Sequence, residues 1–131
     1  INYLTNAKEY AVTGVKGGRP VFHSEYDSGM YSYPICHAKD RFHPTQKPLV
    51  LFKELLAKHS DPDSLVIDCF SGSGTTAHAC FESGRRFAGC ELDEGYWQKS
   101  VERLRSAGAC MEIGDWNGLQ AAVSKDDAFM L

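Results

Sequence analysis

The stretch that decides the fold runs Leu65-Val66-Ile67-Asp68-Cys69-Phe70-Ser71-Gly72-Ser73-Gly74-Thr75-Thr76-Ala77-His78-Ala79-Cys80-Phe81-Glu82-Ser83-Gly84-Arg85-Arg86-Phe87-Ala88-Gly89-Cys90-Glu91. Leu65-Val66-Ile67 is a short continuous apolar run, as expected of a strand buried on both faces. Ser71-Gly72-Ser73-Gly74 is a turn. Thr75 to Ser83 reads as a helix, with Gly84 just past its end, where a left-handed residue closes helices. Phe87 to Glu91 reads as a second strand. Strand, helix, strand is the βαβ pattern of a parallel sheet with a right-handed crossover. Ligands of such sheets bind beyond the carboxyl ends of the strands. Asp68 to Gly74 and Glu91 to Asp93 therefore share one rim.

Toward the C-terminus, Tyr96 to Arg105 reads as a helix with Trp97, Val101 and Leu104 on one face. Met111-Glu112-Ile113 reads as a short third strand, and Leu119 to Val123 as helical. Toward the N-terminus, Pro48 suits a first helical position. Phe52, Leu55, Leu56 and His59 follow on one helical face, and Ser60-Asp61-Pro62-Asp63 stops that helix. Tyr10 to Val15 reads as a strand, Gly17-Gly18-Arg19-Pro20 as a turn, and Val21-Phe22 as a short strand. Residues 23–46 show no period. Their Tyr26, Tyr31, Tyr33 and Phe42, with Lys39 and Arg41, read as an ordered loop or a surface-binding segment. No internal repeat is present.

The chain has 131 residues, a length for one domain (1–131), with a strand and loop region at 1–46 and the βαβ region at 47–131. Hydrophobic residues at 43% and charged residues at 24% exclude disorder and low complexity. No apolar run approaches the roughly 20 residues of a membrane helix. The sequence opens on Ile1 without a signal-peptide pattern, so a mature or cut fragment is expected. The five cysteines, Cys36, Cys69, Cys80, Cys90 and Cys110, are odd in number and lack C-x-x-C spacing. That argues against a disulfide framework or zinc cluster and for a reducing cytoplasm.

Charge is uneven. Lys and Arg outnumber Asp and Glu by eight to five over residues 1–60, and trail them by six to twelve over 61–131. The first part suits phosphate; the second suits a cationic ligand.

Gly72-x-Gly74-x-x-Ala77 fits G-x-G-x-x-G/A between strand and helix, with Glu91 19 positions after Gly72. That is the layout of a nucleoside site. Glycines admit the ligand to the backbone, the helix start offers free N–H groups, and Glu91 accepts ribose hydroxyls. The bland alternative is a tight turn with Glu91 as a solvated strand end. Asp68 sits at the strand terminus. A carboxylate there disfavours a pyrophosphate and favours the ammonium and sulfonium of S-adenosylmethionine (SAM); the alternative is a turn carboxylate. Phe70 either walls the methionine side or belongs to the core. A nicotinamide-dependent oxidoreductase fragment stands as the lesser alternative.

Asp68-Cys69-Phe70-Ser71-Gly72-Ser73-Gly74-Thr75-Thr76 resembles the SAM-binding loop of the amino-methylating DNA methyltransferases. Arg85 to Glu91 with Tyr96 is similar to the strand and helix that follow it in that family. His43-Pro44-Thr45-Gln46-Lys47-Pro48, about 20 residues before the loop, matches the β-type order, with the catalytic half first. Asn6-Ala7-Lys8-Glu9-Tyr10 resembles the segment before it. The resemblance covers residues 5–105. It implies a partial, incomplete Rossmann-like SAM-dependent methyltransferase fold of α/β class, with a parallel sheet flanked by helices. It also implies methylation of the exocyclic amino group of adenine or cytosine in double-stranded DNA, as in restriction-modification enzymes of bacteria or phage. By the resemblance, Phe70, Ser71, Gly72, Ser73, Gly74 and Thr75 line the methionine end of SAM, supported by Asp68. Glu91 holds the ribose, Leu92 lies against the adenine, and Thr45, Gln46 and Lys47 reach the methionine carboxylate.

One departure stands out. The family's catalytic motif, an acid, Asn or Ser before Pro-Pro and an aromatic, is not in this sequence. Pro20, Pro34, Pro44, Pro48 and Pro62 are all isolated. Ser32-Tyr33-Pro34-Ile35 has one proline too few. A complete sheet at about 30 residues per βαβ unit needs on the order of 200 residues. The expectation is an incomplete sheet with an exposed edge, completed by a second copy or a complementing catalytic chain. A non-catalytic SAM- or DNA-binding remnant is the alternative. Residues 19–47, with Arg19, Lys39, Arg41 and Lys47 among aromatics, are either DNA-facing or a solvated loop.

Overall fold

A computed structural model describes residues 8–37, 39–112 and 120–124 of the chain. In order, the described elements are α1 (Leu49–His59), β1 (Leu65–Asp68), α2 (Thr75–Ser83), β2 (Arg86–Gly89), α3 (Glu94–Ser106), β3 (Cys110–Glu112) and β4 (Gln120–Ser124).

The βαβ unit forms as the sequence dictates. β1 and β2 pair in parallel, Leu65 opposite Arg86 through Asp68 opposite Gly89. α2 packs against β2 and is entered and left through left-handed glycines, Gly74 at φ 69° and Gly84 at φ 68°. Its small residues Ala77 and Ala79 are fully buried, which lets the helix lie close to its neighbours. The core gathers Ala77, Cys80, Phe87, Leu104 and Ala109, with Leu56, Val66, Phe81 and Met111 packed against it. Burying Phe87 or Leu104 contributes about 1.5–3 kcal/mol each.

Gly89 permits the tightest approach. A Cβ there would stand 2.4 Å from the Phe87 ring and 2.8 Å from the Asp68 carbonyl. The residue is glycine because no room exists for more.

The parallel pair is extended by two antiparallel pairs in the order β1-β2-β4-β3. Three expectations need correction. Residues 120–124 form β4 between β2 and β3, where residues 119–123 had the look of a helix; Leu119 lies outside the described residues. An unpaired β2 edge rewards strand pairing more than the short Ala-Ala-Val run rewards a helix. Tyr10 to Val15 and Val21-Phe22 form no strand. Tyr10 and Val12 are 87% and 98% exposed, and a β-like run without a neighbouring strand has nothing to bond its backbone. Leu65 and Ile67 are not buried on both faces but 45% and 62% exposed, because β1 is the edge of the described sheet.

The segment before α1 is fastened by polar contacts instead. Lys58 pairs with Asp27 at 2.6 Å and with Glu54, and lies 4.5 Å over the Tyr31 ring. Tyr33 donates its hydroxyl to Glu54, and the His23 amide donates to the Lys58 carbonyl at 2.8 Å. Pro48 occupies the cap position of α1 rather than its first turn. Lys58 and His59 lie in the last turn of α1, favourable to the helix dipole.

Candidate functional site

The site lies at the carboxyl ends of β1 and β2. Beyond Asp68 the chain turns, with the Gly74 amide donating to the Ser71 carbonyl at 2.8 Å. Gly72 and Gly74 hold φ of 53° and 69°, a left-handed conformation that glycine adopts without strain. A Cβ on Gly74 would reach 3.0 Å from Cβ of Ser100, so α3 packs directly on the turn.

The acids hold this turn open. Asp68 accepts the Phe70 amide at 3.0 Å through one oxygen and the Thr76 hydroxyl at 2.6 Å through the other. Glu91 accepts the Gly72 amide at 2.6 Å and the Asp93 amide at 2.9 Å, one on each oxygen. Asp93 in turn caps α3 by accepting the Tyr96 amide at 2.9 Å. Each carboxylate oxygen keeps a further lone pair for a ligand. No Lys or Arg occurs in residues 68–75 or 90–96. Arg85 and Arg86 lie at the opposite end of β2, bonded to the Ser60, Ser83 and Asp63 carbonyls. The rim is thus acidic, a surface for a cation.

The His43 to Pro48 segment closes one side. His43 packs on the Tyr96 ring, centroids 4.2 Å apart, and its Nε2 would meet a Cβ on Gly72 at 3.6 Å. Thr45 bonds to His43 Nδ1 through its hydroxyl at 3.1 Å and its amide at 3.3 Å. The Lys47 carbonyl accepts weakly from the Thr75 hydroxyl at 3.5 Å and the Cys36 thiol at 3.4 Å. The Lys47 ammonium pairs with Glu9. Oε1 of Gln46 is buried with no hydrogen-bond partner, a position a ligand donor would satisfy.

Phe70 and Leu92 stand 90% and 85% exposed on either side of the rim. Phe70 is therefore not core, and both offer apolar surface to a flat ring. Ser73 and Thr75 are buried, their hydroxyls 3.0 Å apart, so their side chains hold the turn from behind. Ser71 donates its amide to the Cys90 carbonyl at 2.9 Å, closing the gap between the strands.

Arg103 was not legible as part of this site. It donates to the Ser73 carbonyl at 3.0 Å and to the Thr75 hydroxyl at 3.3 Å. Burial lowers its pKa from the ordinary value. Its sole signal in sequence is its place beside Leu104 on the packed face of α3. Among the described residues no group of His, Cys, Asp and Glu is arranged to hold a metal ion.

A family described as DNA methylase matches residues 3–102 of the chain. "Putative methylase YubD" of Escherichia coli is 37% identical over 90 residues, 66% of this chain and 40% of that protein. "DNA adenine methyltransferase YhdJ" of the same organism is 34% identical over 89 residues, covering 66% and 30%. "Type II methyltransferase M1.MboII" of Moraxella bovis is 44% identical over 54 residues, covering 41% and 21%. The solved M1.HpyAVI-SAM complex superposes with a TM-score of 0.55 at 34% identity, over 66% of this chain and 44% of that one. The chain thus spans less than half the length of these relatives.

Proposed function

Since the chain belongs to the DNA methylase family, we propose that it is the cofactor-binding part of a DNA methyltransferase that uses S-adenosylmethionine to methylate an exocyclic amino group of adenine or cytosine. The observation that carries this reading is Glu91, which ties the glycine turn to the start of α3 through the Gly72 and Asp93 amides.

The residues fit that cofactor. The acidic rim receives an ammonium and a sulfonium. Glu91 would accept the ribose hydroxyls. Phe70, Ser71, Gly72, Ser73, Gly74 and Thr75 line the methionine end over Asp68. Leu92 would cover the adenine, and Thr45, Gln46 and Lys47 would reach the methionine carboxylate. Bound there, the cofactor supplies an electrophilic methyl group. The protein's part is to orient that group and exclude water. No covalent cysteine step is required.

Double-stranded DNA is the proposed substrate, met by the basic first part of the chain, in a cytoplasmic setting. The target base must leave the helix stack to be reached. The Pro-Pro-aromatic motif that would receive it is absent from these 131 residues. Tyr33, in the nearest imitation, is engaged with Glu54 on α1. We assign the catalytic motif to polypeptide outside these 131 residues that pairs with the exposed β1 edge; the bare edge would also pair copies of this chain, which light scattering at high concentration tests, a stable monomer opposing that pairing. Family membership leaves the nicotinamide alternative without support.

Incubation of the chain with methyl-labelled SAM and DNA tests the reading. Retention of label by the protein without transfer to DNA is expected. Methyl transfer by the chain alone would show that its catalytic group lies within residues 1–131, against the proposal.

A further inference from the structure

Cys69 and Cys90 lie one residue beyond the last paired residues of the parallel ladder, Asp68 and Gly89. The Cys90 amide donates to the Asp68 carbonyl at 3.0 Å, so the strands are still in register at this point. The Cys90 thiol lies 3.1 Å from the Cys69 carbonyl. Neighbouring strands run about 4.8 Å apart, inside the Cα separation of about 4.4–6.8 Å that a disulfide spans. Both cysteines flank residues of the rim, Asp68 and Phe70 on one side and Glu91 on the other.

We propose that Cys69 and Cys90 form a reversible disulfide across the mouth of the cofactor site, made by exchange with a small-molecule disulfide. The bond itself rests on the geometry of the two strand ends. Its effect on cofactor rests on the functional reading above.

The other thiols do not compete. Cys80 is fully buried, and burial pushes its pKa up to about 12. Cys110 lies on β3, separated from β2 by β4. Cys36 donates to the Lys47 carbonyl at 3.4 Å. Cys69 is exposed and Cys90 is half-buried, which sets the order of events.

The Cys69 thiolate attacks one sulfur of the external disulfide. An S–S bond forms to Cys69 and the first external thiol leaves. The Cys90 thiolate then attacks the Cys69 sulfur and expels the second. Two protein thiols are oxidised to one disulfide, one external disulfide is reduced to two thiols, and the protein's two protons pass to the departing thiolates. Burial first, then the neighbouring Cys69 thiol, raises the pKa of Cys90. The second step therefore quickens as pH rises.

Closure pulls the Cys90 sulfur off the Cys69 carbonyl and draws the Cβ atoms to about 3.8 Å. The crevice between the two loops narrows, and cofactor binding weakens by about tenfold.

Treating the full chain with oxidised glutathione, followed by peptide mapping with trypsin and chymotrypsin, tests the inference. A linked Cys69–Cys90 peptide pair is expected, reversed by dithiothreitol, while Cys90→Ser stops at a glutathione adduct on Cys69. A persistent adduct in the unaltered chain, or a link to any other cysteine, overturns the proposal. SAM titration before and after oxidation reads the coupling separately. A complete cross-link with unchanged SAM binding overturns the coupling. A linked pair in a chain whose reduced form binds no SAM overturns the functional reading and leaves the disulfide standing.

Discussion

The Glu91 carboxylate accepts the Gly72 amide at 2.6 Å, from a residue 19 positions earlier. That one bond joins the turn after β1 to the end of β2. It fixes the width of the crevice between them. A charge-assisted hydrogen bond of this kind contributes about 1.5–3 kcal/mol.

Glu91→Gln keeps an acceptor for one amide and turns an NH2 toward the other. SAM affinity should fall by about tenfold to a hundredfold, on the loss of roughly 1.5–3 kcal/mol. Circular dichroism of the variant should be unchanged. Calorimetry showing equal affinity would exclude Glu91 from the cofactor site.

Gly89→Ala places a methyl group against a buried Phe87 ring and the fixed Asp68 carbonyl. Overpacking of this sort costs about 1–3 kcal/mol. The urea midpoint should drop accordingly. Gly14→Ala, where nothing lies within 4 Å of the added carbon, is the control and should leave the midpoint in place.

His78 gives the fold a sensitivity to mild acid. Burial, and next the Arg103 charge, lower its pKa below the ordinary 6.5. Glu82, 3.1 Å from its Nε2, offsets part of this. The unfolded chain then binds more protons than the folded one as pH falls through the unfolded value, so stability declines below about pH 6.5. His78→Gln should flatten the stability profile between about pH 7 and 5. An unchanged slope in urea melts across that window would refute this.

Lys58 anchors the segment that precedes α1. Asp27 and then Glu54 hold its pKa above the ordinary lysine value, and it keeps both as partners. Lys58→Met removes those pairs while keeping the stem's apolar bulk. Limited proteolysis should then cut within residues 22–36 several-fold faster, with amide exchange in α2 unaffected. Equal cutting rates would mean that the segment is held elsewhere.

The parallel unit was legible because its signals are local and agree with each other. A left-handed glycine stands at each end of α2, an apolar run precedes it, and an acid follows at the right distance. The composition of residues 119–123 suits a helix, yet 120–124 form a strand, because a strand inserted between β2 and β3 is chosen by those neighbours and not by its own five residues. Tyr10 to Val15 failed in the opposite sense. It has strand composition and no partner strand among the described residues. At the site, Glu91 and Asp68 were placed by spacing alone. That each would be occupied by backbone amides was not readable, since those bonds depend on how two turns meet. Arg103 was invisible because a helix position alone does not tell that a guanidinium reaches the Ser73 carbonyl.

Whether the rim joining Asp68–Thr75 to Glu91–Asp93 holds S-adenosylmethionine is decided by isothermal titration of the reduced full chain with SAM, and with NADH as comparator. Saturable SAM binding at micromolar strength is expected, lost in Glu91→Ala, with no heat from NADH. SAM binding that survives unchanged in Glu91→Ala, or its absence from a chain whose circular dichroism shows it folded, would contradict binding at that rim.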